Sequence, residues 1–439
     1  MLFGTSGIRG PSETLFTKQF CFDIGRAFSL FLKNHNQDKA VAIGMDPRGS
    51  SPRIKKDVIS GLLFENRDVF DQGASPIPAM NYVLKAGSYY SGSIMVSGSH
   101  IKAELNGVKF FAFCEEILKK HEVEIEKIYE SIKGKQKYKN LSKNIEYENE
   151  ANEEYQEYIS SFAFKNIPDL KAVVDCGDGA QSDTMPQVLK RIGIRVVELN
   201  CTIQGKFFAR DTEIEDNFYD LKKKVLSENA DFGVGYDADG DRVVFVDEKG
   251  KYITGDYSGT LIALNFKGDS VVTPINSSQV IDKIGKTIYR TKVGSPYVVE
   301  KMKEVGAYFG FEANGGGIFK DMMSRDGGRS TIEVINIMAK SDKRLSEIIA
   351  ELPKYYIYRD KVEYNWELKD KIINSAKKSF NGIKQDETDG LKIWVDDNTW
   401  ILFRSSMNAP EFRVFVESKD DEKAKKLIKE GLAFVKKHI

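Results

Sequence analysis

The chain has 439 residues, with 65 Lys+Arg against 65 Asp+Glu and 41% apolar residues, so its formal net charge is zero. This balance excludes bulk electrostatic attraction to nucleic acid or a membrane surface, and no apolar run approaches the ~18 residues of a spanning helix. Four scattered cysteines (Cys21, Cys114, Cys176, Cys201) without CxxC spacing and four histidines argue against a zinc cluster or a disulfide framework, so chemistry must rest on Ser, Asp, Lys and Arg.

Taken in chain order, short apolar runs alternate with helix-length amphipathic stretches. The first group predicts a strand at Val41–Asp46, a helix from Arg53 to about Glu65, and a strand at Ser93–Val96 that ends in Ser97-Gly98-Ser99-His100. Residues 133–152 are polar and aperiodic and read as a linker. The second group has Ala172–Asp175, a helix near Met185–Ile192 and a strand at Val196–Leu199. The hairpin-like turn Asp247–Lys251 then marks a possible division from the third group. That group has Val271–Thr273, a helix near Val280–Lys286, Ile288–Lys292, a helix near Tyr297–Val305 and Tyr308–Phe311. Strand, helix, strand in this order predicts parallel pairing with right-handed crossovers. After Pro353 the pattern changes to strands near Trp394, Ile401 and Phe412–Val416. A closing helix puts Ala424, Leu427, Ile428, Leu432 and Val435 on one face. The expected fold is α/β: three repeated α/β domains with mixed, mostly parallel sheets plus a C-terminal α+β domain. The expected limits are residues 1–148, 149–248, 249–352 and 353–439.

Four motifs fall one per expected domain. Ser97-Gly98-Ser99-His100, followed by Asn106-Gly107-Val108-Lys109, puts a hydroxyl at a strand's carboxyl end, where α/β sheets place ligands. Ser99 there suits a nucleophile or phosphate carrier, with His100 or Lys109 assisting proton transfer; a Ser/Gly turn without function is the plain alternative. Tyr236-Asp237-Ala238-Asp239-Gly240-Asp241-Arg242 offers three carboxylates that can converge on one hard cation, Mg²⁺ being the natural match, or else form an acidic turn. Gly310-Phe311-Glu312-Ala313-Asn314-Gly315-Gly316-Gly317 pairs a carboxylate and an amide that can bind sugar hydroxyls. Phe403-Arg404-Ser405-Ser406-Met407-Asn408-Ala409-Pro410 with Arg413 brackets hydroxyls and an amide between two guanidinium groups, which suits a phosphate dianion.

In this order the motifs resemble the α-D-phosphohexomutase superfamily (phosphoglucomutase, phosphomannomutase, phosphoglucosamine mutase). Further matches are Phe3-Gly4-Thr5-Ser6-Gly7-Ile8-Arg9-Gly10, Asp46-Pro47-Arg48-Gly49-Ser50-Ser51, Ser75-Pro76-Ile77-Pro78 and Thr291-Lys292-Val293-Gly294, so the resemblance covers essentially the whole chain. It implies an isomerase that interconverts hexose 1-phosphate and hexose 6-phosphate, with mannose or glucose preferred. The route runs through a phosphoserine and a hexose bisphosphate that turns round in the site. By this resemblance Ser99 carries the phosphate, and Mg²⁺ is held by Asp237, Asp239, Asp241 and a phosphoserine oxygen of Ser99. Arg9, His100, Lys109 and Arg242 are catalytic, with Lys109 a candidate acid/base whose proton other cations would loosen. Lys292, Gly294, Glu312 and Asn314 contact the sugar, and Arg404, Ser406, Asn408 and Arg413 the phosphate that is not reacting.

The sequence departs from the family at three places. Ile101-Lys102 replaces Asn-Pro after His100, Met407 stands where the family has glycine, and the sugar loop reads Glu312-Ala313-Asn314-Gly315-Gly316, a form similar to archaeal-type members. The alternatives are a phosphoglucosamine mutase, a phosphosugar-binding protein of the same fold with little turnover, and a phosphatase that uses an aspartate nucleophile. The expected partners are hexose phosphates, with no nucleic acid and no membrane. The assembly is expected to be a monomer or homodimer in the cytoplasm; the start MLFGTSGIRG lacks a signal-peptide pattern.

Overall fold

The alternation of apolar runs and amphipathic stretches resolves into four sheets in the computed structural model, which describes residues 2–4, 7–87, 89–141, 145, 147–406 and 410–439. The first sheet holds β1 (Ile8–Pro11), β2 (Ala40–Met45), β3 (Val69–Ala74), β4 (Tyr90–Val96), β5 (Leu105–Ala112) and β6 (Glu115–Glu116). Its order is β1-β5-β4-β2-β3, with β6 on β5. The second holds β7 (Lys171–Asp175), β8 (Arg195–Leu199), β9 (Phe232–Tyr236), β10 (Val243–Asp247) and β11 (Tyr252–Ile253), in the order β11-β10-β9-β7-β8. The third holds β12 (Ser270–Pro274), β13 (Thr287–Thr291), β14 (Phe309–Phe311), β15 (Gly317–Phe319) and β16 (Arg325–Asp326), in the order β13-β12-β14-β15-β16.

One plan recurs in these three sheets. A parallel core (β4-β2-β3, β9-β7-β8, β13-β12-β14) is extended on one side by antiparallel strands. The extensions are β5 with β1, β10 with β11, and β15 with β16. Each main path therefore has as many antiparallel pairings as parallel ones. The central strands β2, β4 and β9 are buried along nearly their whole length, which is why β2 and β9 read as runs of apolar residues and glycine instead of alternating, while β4 carries Ser91 and Ser93 within its run. The fourth sheet, β17 (Tyr356–Glu363), β18 (Lys384–Asp386), β19 (Leu391–Asp396), β20 (Thr399–Ser405) and β21 (Glu411–Ser418), is antiparallel throughout in the order β17-β21-β20-β19-β18. The helix Asp421–His438 packs on it through Ala424, Leu427, Ile428 and Val435.

Three sequence expectations are adjusted. The stretch near Val280–Lys286 forms only a 3₁₀ turn, Gln279–Lys283, because the Ser278 hydroxyl caps it early and Gly285 takes φ 75° just beyond. The turn Asp247–Lys251 does not divide two sheets. It closes the β10–β11 hairpin, with Asp247 N donating to Lys251 O at 3.0 Å, so the second sheet runs to Ile253. The polar stretch after residue 133 is tied back to the first unit: Tyr138 hydroxyl donates to Asp57 at 2.7 Å, and Glu148 N to Asp71 O at 2.8 Å.

The largest apolar core runs through the first three units, joining Met80, Tyr155, Val174, Phe245, Phe309 and Ile335. The fourth unit has its own core around Ile372, Phe403, Val414 and Ile428. It meets the third through a small patch of Ile275, Trp400, Leu402 and Phe415. Among the described residues no helix is long and apolar enough to cross a membrane.

Candidate active site

The loop after β4 turns back into β5, and Ser99 sits in it fully buried with φ 52°, a left-handed conformation uncommon for a residue with a Cβ. Ser99 Oγ donates to Asp237 Oδ2 at 2.8 Å and lies 3.4 Å from His100 Nδ1. The backbone N–H of Ser99 donates to Ser97 Oγ at 2.7 Å, and that hydroxyl lies 2.8 Å from Asp46 Oδ2 and 3.0 Å from Asp239 Oδ2. The serine loop of the first unit thus meets the aspartate loop of the second.

The aspartate loop joins β9 to β10. It is held from outside by Ala180 N on Ala238 O and Gln181 Nε2 on Gly240 O, both at 2.9 Å. Asp237, Asp239 and Asp241 are all buried, and each offers a carboxylate oxygen within 4.8 Å of the others. Lys109 Nζ reaches Asp239 Oδ2 at 2.9 Å and Asp241 Oδ2 at 3.6 Å. Its closest charged neighbours are therefore carboxylates, not the cations expected from the sequence. Asp239 Oδ1 and Asp241 Oδ1 are buried without a hydrogen-bond partner. Orphaned carboxylate oxygens in a buried, oxygen-only cluster fit a hard divalent cation, whose charge would offset the cost of their desolvation.

The titration behaviour follows the packing. Burial, then the charges of Asp239 and Asp241, raise the Asp237 carboxyl well above the usual range. Burial also acts to raise Asp239, but Lys109, Arg9 and Arg242 outweigh it and hold that carboxyl low. Burial, reinforced by Arg242, Arg9, Arg325 and Lys109, pulls His100 well below its ordinary value, so the imidazole is neutral at pH 7.

In the third unit Glu312 Oε1 accepts from Gly294 N at 3.0 Å and Glu312 Oε2 from Arg325 Nη1 at 2.7 Å. Arg325 Nη1 also donates to Asn314 Oδ1 at 3.1 Å, and Nη2 to Asp241 Oδ2 at 2.8 Å. The Gly315-Gly316 pair has a backbone reason. Both residues have positive φ (88° and 80°), and a Cβ would lie 2.1 Å from Val243 O and 2.2 Å from Asp241 O respectively. Only glycine lets this loop lie on the backbone of the aspartate loop. In the fourth unit Arg404 and Arg413 face each other across β20 and β21, and Arg404 Nε donates to Asp389 Oδ2 at 2.6 Å.

All four units line one cleft of about 360 Å³. Arg9 and His100 come from the first unit, Asp211, Glu213 and Arg242 from the second, Gly294, Glu312, Asn314 and Arg325 from the third, and Arg359, Lys361, Arg404, Ser406 and Arg413 from the fourth. Seven cationic side chains against four carboxylates make the cleft electropositive within a neutral chain, as a phosphate ester requires. Ser99, Lys109 and the three aspartates lie buried behind this lining, of which His100, the neighbour of Ser99, is a part. Lys292 does not join the lining. It is exposed on the loop after β13, and its ammonium lies 6.0 Å from the Tyr297 ring. Asn408, with Met407 and Ala409, lies outside the described residues. Sequence reasoning missed Arg325, Arg359, Asp211 and Glu213. The only local signal for Arg325 was its place before Asp326-Gly327-Gly328.

Profiles of the phosphoglucomutase/phosphomannomutase alpha/beta/alpha domains I, II and III match residues 1–136, 153–250 and 254–356. The chain belongs to the α-D-phosphohexomutase superfamily. A phosphoglucomutase/phosphomannomutase of Thermococcus kodakarensis is 36% identical over 100% of this chain and 99% of its own length. A probable phosphoglucosamine mutase of Methanocella arvoryzae is 32% identical over 100% and 98%. A phosphoglucomutase/phosphomannomutase family protein of Burkholderia thailandensis shares the fold with a TM-score of 0.83 at 24% identity, over 100% of this chain and 97% of that one. Phosphohexomutases are intramolecular phosphotransferases, so the chain belongs among the isomerases.

Proposed function

We propose that this phosphohexomutase interconverts hexose 1-phosphate and hexose 6-phosphate, with mannose and glucose as its sugars, through phosphorylated Ser99 and a hexose bisphosphate. The observation that carries the reading is Ser99 Oγ, 2.8 Å from Asp237, beside a cleft whose other walls hold a sugar-type loop and two facing arginines. In the first half-reaction a sugar hydroxyl oxygen forms a bond to phosphorus as the Ser99 Oγ–P bond breaks. The sugar hydroxyl's proton leaves to a base, and Ser99 Oγ recovers a proton. The neutral imidazole of His100, next to Ser99 Oγ, is placed to hold one of those protons. The bisphosphate turns round, Ser99 Oγ attacks its other phosphate, and the opposite isomer departs.

Arg9 and Arg242, which line the cleft with His100, would offset the charge that spreads over the transferring oxygens. Glu312 and Asn314, already oriented by Arg325, would accept from sugar hydroxyls, and Arg404 and Arg413 would hold the idle phosphate in both orientations. Asp237, Asp239 and Asp241 would hold Mg²⁺ together with a phosphoserine oxygen. When bound, the ion supplies positive charge to the phosphoryl group in transfer. Asp211 and Glu213 in the cleft carry a second reading, a glucosamine phosphate, whose ammonium would share these carboxylates with Arg242 and Arg359.

The test is turnover of glucose 1-phosphate, mannose 1-phosphate and glucosamine 1-phosphate with Mg²⁺ and a trace of hexose bisphosphate. Conversion to the 6-phosphate that is lost in Ser99→Ala supports the mutase and ranks its sugars. Conversion that persists in Ser99→Ala removes the phosphoserine, and release of inorganic phosphate points to hydrolysis instead.

A further inference from the structure

Ser99 holds a conformation that the loop around it does little to enforce. Between Gly98 and Leu105 the backbone makes two bonds of its own, Ile101 N to Gly98 O at 3.3 Å and Leu105 N to Lys102 O at 3.0 Å. A non-glycine residue at positive φ costs of order 1 kcal/mol or more and persists only where its surroundings over-determine it. Here one side chain from another element does so. Arg48, 1% exposed in the loop after β2, donates through Nη2 to Ser99 O at 2.8 Å. Its Nη1 donates to the carbonyls of Ile101 (3.2 Å), Lys102 (2.9 Å) and Leu105 (2.5 Å). Its Nε donates to Asp46 Oδ2 at 3.3 Å, and its Cζ lies 5.1 Å from the centre of the Phe207 ring.

The same Asp46 oxygen accepts from Ser97 Oγ, which in turn accepts from Ser99 N. Both peptides flanking Ser99 are thus referred to one buried carboxylate. We propose that Arg48 is a positioning residue for phosphoryl transfer. Its guanidinium fixes the left-handed backbone of Ser99, and so the place of Oγ against Asp237, by gathering four loop carbonyls that no other described side chain satisfies together. Arginine is required because its planar fork serves divergent acceptors from one buried point; a lysine offers a single ammonium.

The inference rests on Ser99 being the phosphate carrier, and the test separates the two. Protein freed of phosphate is mixed with glucose 1,6-bisphosphate, and phosphate uptake is followed by intact mass in wild type, Ser99→Ala, Arg48→Lys and Gly98→Ala. The last variant reaches the same contact from the other side, because a Cβ on Gly98 would stand 2.4 Å from Arg48 Nη1. The expected result is uptake in wild type that is absent in Ser99→Ala and slowed about tenfold or more in Arg48→Lys and Gly98→Ala, where reacting atoms are misplaced by a fraction of an ångström. Steady-state kcat should fall in parallel while KM for the hexose 1-phosphate stays within about twofold, since the sugar and phosphate loops are untouched. Wild-type uptake at Ser99 with unchanged rates in both variants overturns the role of Arg48 alone. So does a rise in KM matching the fall in kcat/KM. Absence of uptake in wild type overturns the phosphoserine reading and this inference with it.

Discussion

Arg325 places one guanidinium between two loops with different tasks. It donates to Asp241 in the aspartate loop and to Glu312 and Asn314 in the sugar loop, with its side chain 5% exposed. Removing one member of a buried ion-paired set leaves charges without partners and costs about 3–5 kcal/mol. In Arg325→Met Glu312 loses its cation and Asp241 keeps only Lys109, 3.6 Å away, so two properties should change together. KM for the sugar phosphate should rise at least tenfold, and Mg²⁺ should bind more tightly by calorimetry, because a cation has been removed from beside the aspartate cluster. Arg325→Lys should recover part of the KM and not all of it, because one ammonium cannot reach both loops. Unaltered KM in folded Arg325→Met would show that the bridge has no bearing on substrate. The sequence could not disclose this residue, because its partner Asp241 lies 84 positions away and pairing across that distance leaves no periodic trace. Ser99 and the three aspartates were legible for the opposite reason: their chemistry is written in contiguous residues. Lys109 was legible as a candidate, but its carboxylate neighbours were not, since they come from another unit.

At the scale of elements, the central strands β2 and β9 were readable because burial on both faces favours apolar runs over alternation. The short antiparallel strands β6, β11 and β16 have two residues each, too few for any pattern. The helix Gly327–Ser341 shows how an element's start feeds the site. Asp326 is its N-cap, accepting from Arg329 N at 2.7 Å, and directly precedes it in sequence is Arg325 of the bridge. Tyr155 hydroxyl donates to the same Asp326 oxygen at 2.5 Å, while Asp326 Oδ2 is buried without a partner. Burial outweighs these bonds and pushes the Asp326 carboxyl up to about 6. An unfolded aspartate titrates near ~3.9, so between about pH 4 and pH 6 the folded chain binds more protons and stability falls as pH rises. Above pH 6 both states are ionised and this contribution is flat. Asp326→Asn keeps a capping oxygen but cannot titrate. Its unfolding free energy relative to wild type, compared at pH 4.5 and pH 6.5, should therefore move in the variant's favour at the higher pH, by roughly 2 kcal/mol. A difference that stays constant between the two pH values would remove the carboxyl from the account.

The whole molecule poses a separate question, because the cleft is complete only while the fourth unit stays against the third. That contact has a small apolar patch and is otherwise polar. Glu417 accepts from Ser278 Oγ and Gln279 N of the third unit and from Trp400 Nε1 within the fourth, Arg359 pairs with Asp256 of the third unit and Glu213 of the second, and Lys392 Nζ donates to Ile275 O at 2.9 Å with the Trp400 ring 3.8 Å away. Such a surface binds by satisfied polar groups more than by area, so changing the charge state of one group should change the attachment. Burial, then the nearby charge of Arg290, pulls the Lys392 amine down to about 7. A lysine in the unfolded chain titrates near ~10.4, so between about pH 7 and pH 10 the unfolded state holds more protons. Stability from this residue therefore rises with pH across that window and is least below pH 7, where the buried amine is charged. Lys392→Met has no such dependence. Relative to that variant, wild type should gain stability between pH 7 and pH 9.5, and the subtraction cancels the other groups that titrate there. The chain reports the event selectively: its three tryptophans, Trp366, Trp394 and Trp400, all lie in the fourth unit. Their fluorescence follows that unit while far-ultraviolet circular dichroism follows the whole chain. If the polar contact governs attachment, the pH-dependent gain appears in the fluorescence midpoint and exceeds that in circular dichroism. Equal gains by both probes would mean the four units unfold as one, and no gain would mean the amine is not buried in its uncharged form.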